Sequence, residues 1–177
     1  MAITLTKEDG NGLANANVYA DQADAAQYLE NTGRKDAWAA FSSAEKNAAL
    51  IQGTDYLDQA FRNRFKGTRS SSTQRLEWPR DNVYDELGTL ITAIPEEILN
   101  ASIEFAFEAA SSPLAPTPQV SDTGGQVVLQ RDKVDVLETE TRYAESRSIK
   151  TFRSYPRAQL VVRRWLKPGA GALTLRI

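Results

Sequence analysis

The side chains that most often carry chemistry are missing from this sequence. Its 177 residues include no cysteine and no histidine. Thiolate nucleophiles, disulfides, thiolate metal sites and the imidazole base are therefore excluded. What remains for acid–base or cation work is the carboxylates, grouped as Glu96/Glu97, Asp81/Asp85/Glu86 and Asp132/Asp135. None has the spacing of a calcium loop. Neighbouring acids on a helix point in different directions, so Glu96 and Glu97 suit a helix start better than a shared site. "DTGGQ" is not a phosphate loop, because no Gly-Lys-Ser/Thr follows. The expectation is a protein with no catalytic residues, no cofactor and no metal.

One stretch has the composition of a binding surface. Arg62, Arg64, Lys66, Arg69, Arg75 and Arg80 are interleaved with Phe61, Phe65 and Trp78. Rings that stack bases beside cations that meet phosphates are how single-stranded nucleic acid is held. The competing reading makes the rings core, because Phe61 and Phe65 continue the helical spacing from Leu57. The arginines then line a solvated loop or an interface. Within this stretch, Leu76, Trp78, Pro79 and Arg80 ("LEWPR") read as a structural latch. Trp78 would fold under its loop, Pro79 would keep the chain extended, and Arg80 would aim at a nearby acid or carbonyl.

The elements that must position these residues are mostly helical. Asp21 can cap a first helix, with Asp24 at the third helical position. Ala25, Tyr28 and Leu29 form its apolar stripe, and Gly33 follows as a C-terminal stop. "KDAWAAF" reads as a short helical turn. Ser42 and Glu45 have capping-box spacing. From there Leu50, Thr54, Leu57, Phe61 and Phe65 recur at threes and fours, predicting the longest helix, ending near Phe65. Pro95 is suited to the first position of another helix. Ile98, Leu99, Ile103, Phe105, Ala106, Phe107 and Ala110 then run around much of its circumference, so that helix is buried on several sides.

Residues 1–17 read as a loose polar arm, and 111–125 as a Pro- and Gly-rich loop. Val127, Leu129, Val134 and Val136 carry strand periodicity around the charged turn "RDK", predicting a β-hairpin at 126–142. A last helix over 155–166 starts at Pro156, with Leu160, Val161 and Trp165 on one face. An extended tail occupies 167–177. The fold class is therefore mainly α: a bundle of about four helices with a projecting hairpin and an extended tail, all within one domain of which 15–110 is the helical core.

Bulk properties fit this picture. Apolar residues make up 41% and charged residues 25%, ordinary for a soluble globular domain. The formal net charge is -2, which gives no general pull towards nucleic acid. No apolar run approaches the roughly 18 residues of a membrane span. "MAITLTKEDG" lacks the pattern of a signal peptide, and a cytoplasm-like compartment is expected.

The chain resembles a known phage family through a series of motifs. "ANVYADQADAAQYLENTGRKDAWAAFSSAEKNAALIQGTDYLD" is followed by a Lys-Gly pair, "LEWPR", a glycine and "IPEEILNASIEFA". The matching positions are Tyr19, Tyr28, Leu29, Trp38, Glu45, Lys46, Ala49, Leu50, Thr54, Tyr56, Leu57 and Asp58, then Gly67, Leu76, Trp78, Pro79, Arg80, Ile94 and Pro95. This pattern, over about residues 15 to 110, is similar to that of tailed-phage head–tail connector (adaptor) proteins, often labelled putative DnaT-like single-stranded DNA-binding proteins. The chain departs from the family in Gly53, where alanine is the rule, and in a longer tail after Trp165.

The resemblance implies a non-enzymatic virion protein of the neck, assembled in the host cytoplasm. It would form a twelvefold homo-oligomeric ring under the portal protein and hold a downstream tail or neck protein. Double-stranded DNA would pass through it during packaging and ejection without sequence recognition, and no membrane would be involved. Subunit contacts are expected from the hairpin residues Val127, Leu129, Val134 and Val136. Portal binding is expected from Leu173, Leu175 and Ile177, as a strand added to a sheet edge. The alternative is a single-stranded DNA-binding protein using Arg62, Arg64, Lys66, Arg69 and Arg75.

Overall fold

A computed structural model describes residues 3–115, 127–133, 138–143 and 153–168. Its order of elements is α1 (Gln22–Asn31), α2 (Lys35–Ala39), α3 (Ser43–Phe61), β1 (Thr68–Arg69), β2 (Arg80–Asp81), α4 (Glu96–Ser111), β3 (Val127–Lys133), β4 (Glu138–Tyr143) and α5 (Pro156–Val162), closed by a 3-10 turn at Arg163–Trp165. The protein is mainly helical with a small antiparallel hairpin, β3 with β4, as the sequence pattern predicts; β1 and β2 form a second, two-residue antiparallel pair. No helix among the described residues is long and apolar enough to cross a membrane. The chain divides into two units: Met1–Leu114 with Tyr155–Leu173, and Ala115–Ser154 with Thr174–Ile177.

In the first unit, helix starts follow local chemistry. Asp21 accepts from the Ala23 and Asp24 amides while Asp24 accepts from the Asp21 amide, a complete capping box. Ser42 and Glu45 form the second one. Gly33 follows α1 with φ +73°, a conformation that favours glycine. Pro95 is the N-cap of α4, one position earlier than predicted, and Glu96 and Glu97 fill the first turn. Pro156 does take the first position of α5.

Helices α3 and α4 form the spine. Six successive residues of α4, Ala101 to Ala106, are buried, which requires neighbours on several sides. The closest approach is at Gly53. A Cβ there would lie 2.5 Å from the Ala106 backbone nitrogen and 2.6 Å from the Ser102 carbonyl oxygen. The alanine expected from the family pattern does not fit this crossing.

Several expectations need correction. The N-terminal arm is not loose. Val18 forms a parallel bridge with Lys7 and is fully buried. Glu8, 3% exposed, folds the arm around its carboxylate, which accepts from the amides of Gly10, Gly12 and Leu13. Helix α3 stops at Phe61, and Phe65 instead bridges Leu166. The chain turns there because the Lys66 amide donates to the Trp165 carbonyl, and the Lys167 amide to the Arg64 carbonyl. Leu160 is 66% exposed, because α5 buries Ala158 and Val162 instead, flanked by buried Tyr155 and Trp165.

In the second unit, Lys133 pairs with Glu138, Arg131 with Glu140 and Val127 with Tyr143 in backbone register. The "RDK" sequence, expected as the turn, is the end of β3. Strand formation continues through it because the register runs unbroken to Lys133. Val127 lies on β3 with a register shift between it and Leu129. Val134 and Val136 lie outside the described residues, as do the loop from 116 to 126 and the tail residues Leu173, Leu175 and Ile177.

Candidate functional site

The basic and aromatic stretch connects α3 to α4, and its rings are core. Phe61 is 1% exposed, and Phe65 and Trp78 are fully buried. Trp78 meets Phe65 and Trp165 edge-on, with ring centroids 5.8 and 6.1 Å apart. The same cluster contains Leu57 from α3, Ile98 and Phe105 from α4, and Leu76 and Val83 from the loop. The peptide between Trp78 and Pro79 is cis.

Beneath the loop lies a closed polar cluster. Asp58 accepts from the Tyr19 hydroxyl at 2.7 Å and from the Glu77 amide at 2.9 Å. The Trp78 amide donates to the Tyr19 oxygen at 3.1 Å. Arg80 donates to the Glu77 carboxylate at 2.9 Å and to the Lys66, Gly67 and Glu77 carbonyls. Arg62 supplies a second cation to Glu77 at 3.0 Å from the solvent side. Burial, reinforced by the nearby Glu77 charge, pushes the Asp58 carboxyl up to about 7, although its two hydrogen bonds work the other way. Burial and the Asp58 charge push the Tyr19 hydroxyl well up.

A second cluster centres on Glu104 of α4, 2% exposed. It receives the Tyr28 hydroxyl at 2.7 Å, both terminal nitrogens of Arg34, and Arg157 from α5 at 3.1 Å. It thereby ties α1, α4 and α5 together. Burial raises Tyr28 to about 12, with Glu104 adding to the effect. Sequence reasoning passed over Glu104, Asp58, Tyr19 and Glu77 as functional groups. The available signal was an acid inside the otherwise apolar run "ASIEFAF".

The cations proposed for nucleic acid are dispersed by these packings. Arg64 lies over the Phe61 ring at 5.0 Å, with one terminal nitrogen buried and lacking a hydrogen-bond partner among the described residues. Arg69 donates to the Gln74 carbonyl. Arg75 is exposed near Asp55, whose carboxyl burial raises and Arg75 partly lowers. Lys66 is half-buried. Beside the loop, Gly10, Ser70, Pro79, Asp81 and Leu90 help to line an open cavity of about 540 Å³. Among the described residues, no group of three acidic side chains is placed to hold a metal ion.

A family model described as "Putative DnaT-like ssDNA binding protein" matches residues 3–177. The chain belongs to this DnaT-like family. No curated protein and no solved structure matches it. The family description names single-stranded DNA binding and carries no statement about a connector. In this member Arg62, Arg64, Arg69 and Arg75 are at or near the surface, while Arg80 and the rings beside them are enclosed. The chemistry available at the site is therefore electrostatic contact with phosphates, without base stacking by Phe61, Phe65 or Trp78.

Proposed function

We propose that this chain is a structural subunit of the neck of a tailed-phage particle. In that role it joins other copies in a ring at the portal, continues the DNA channel and carries the next tail component. The observation behind this reading is the enclosure of Phe61, Phe65 and Trp78. A protein that holds single strands needs accessible rings, whereas here they close a rigid joint between α3 and α4. The buried clusters around Glu77 and Glu104 likewise make a stiff building unit, with their charges satisfied inside the chain. The motif resemblance over about residues 15 to 110 points the same way. A net charge of -2 suits a wall past which DNA slides.

The family description favours a second reading, single-stranded DNA binding through Arg62, Arg64, Lys66, Arg69 and Arg75. A titration with a fluorescent oligonucleotide at low and physiological salt separates the two. The neck reading expects weak binding that disappears at physiological salt. Mass measurement with purified portal protein then expects a defined ring. Tight binding at physiological salt, lost in Arg69→Glu/Arg75→Glu, together with no portal association, would replace the neck reading with the second one.

A further inference from the structure

We propose that copies of this chain join head to tail, with Leu87 of one copy entering a cavity beside Trp38 of the next. This contact deepens the ring-subunit reading above and rests on it. The knob is the loop after the latch. Leu87 is 91% exposed, and Tyr84 and Leu90 beside it are 50% and 49% exposed. Isolated exposed apolar residues are ordinary, but three on one short loop are less so. The loop is also held in shape. Tyr84 and Leu90 form an antiparallel bridge. The Asp85 carboxylate accepts from the Leu87 amide at 2.9 Å and the Thr89 amide at 2.8 Å. Gly88 supplies the left-handed residue at φ +80°. An apolar tip fixed in advance has little ordering entropy to lose on docking.

The hole lies at the other end of the unit. Ala26, Trp38 and Ala39, with Gln22, Lys35 and Lys46, line a cavity of about 180 Å³. That is below the roughly 300 Å³ at which cavities begin to hold drug-sized ligands, so a side chain is the better occupant. Charge selects which one. The knob carries Asp85 and Glu86; the Glu86 side chain is 74% exposed and lies 3.6 Å from Arg164, an exposed pair that an incoming lysine can share. The hole carries Lys35, whose side chain is 60% exposed, and Lys46. Lys35 now pairs with Glu30, a solvent-exposed bridge that an incoming acid can share.

The two features cannot meet within one chain. Lys46 sits in the first turns of α3, and Val83 belongs to the core cluster that contains Phe61 at its far end. From Lys46 to Phe61 the helix runs about 22 Å. A knob and a hole on opposite ends make a heterologous contact, which closes into a ring or runs on as a filament.

Disulfide trapping tests this directly, because the chain has no cysteine of its own. Leu87→Cys and Ala39→Cys are combined in the full chain and oxidised, both as purified protein and after assembly with portal. Both positions are exposed, and an unchanged melting temperature checks the fold. The expected result is a ladder of dimers, trimers and larger species from the double variant. Adding Lys46→Glu should cut that ladder at least about tenfold, and Glu86→Lys should restore it. A Leu87→Cys single variant that dimerises as efficiently would overturn the proposal in favour of a symmetric contact. Normal assembly without a ladder would overturn this contact while leaving the neck reading intact. No ladder and no assembly would remove both.

Discussion

The connection between α3 and α4 has two halves of opposite fate. Residues 75–80, "RLEWPR", and residues 83–91, "VYDELGTLI", both carry large apolar side chains. In the first half, Leu76 and Trp78 are at most 2% exposed and Arg80 is 9% exposed. In the second half, Val83 still reaches the core, but Tyr84, Leu87 and Leu90 face solvent. The difference lies in what backs each half. The first sits over Asp58 and Tyr19, whose polar atoms take up the Glu77 and Trp78 amides. A buried loop is tolerable only when its backbone groups are paired in this way. Between Tyr84 and Leu90 the second satisfies its amides locally, largely around Asp85, so its tip needs no core. An aromatic or aliphatic residue in a loop therefore says little until the partners of its backbone are known.

The sharpest way to break this contrast is Trp78→Ala. Removing a fully buried indole from between Phe65 and Trp165 should cost about 3–5 kcal/mol, read as a lower denaturant midpoint. An unchanged midpoint would mean that the latch holds nothing. Gly53→Ala asks whether the latch depends on the helix crossing beneath it. Alanine favours helix by about 1 kcal/mol over glycine, but its Cβ would collide with backbone at Ala106 and Ser102. Overpacking of this kind should destabilise by roughly 1–3 kcal/mol, and a stabilised variant would show that α3 and α4 can move apart freely.

A more graded effect comes from pH. With Asp58 raised to about 7, the folded chain holds a proton that the unfolded chain releases near pH 4. Stability from this group is therefore fully present below about pH 4 and is lost as pH rises through about 7. Melting temperature should fall across that window, and Asp58→Asn should flatten the slope. Equal slopes in both proteins would assign the effect to other groups. Smallest of all, Leu87→Ser should change folding stability by less than about 0.5 kcal/mol. A loss of the size expected at Trp78 would show that the two halves are not opposites.

The sequence by itself determined the features that rest on local chemistry. Ser42 with Glu45, and Asp21 with Asp24, start helices because their side chains satisfy amides three residues away. Spacing of Leu50, Leu57 and Phe61 placed one face of α3 inward. The interleaved cations and rings around residues 61–80 were likewise visible, and Trp78 was expected to fold under its loop, but which partners would enclose Phe65 and Trp78 was not. That depended on α5 and Trp165, about a hundred residues further along the chain. The same holds for the arm folded around Glu8, the turn after Phe61 and the exposure of Leu160. Gly53 looked like a departure from pattern until Ala106 stood against it. Tertiary structure decided these points because burial and pairing depend on residues far apart in sequence, and local periodicity carries no record of which neighbour will arrive.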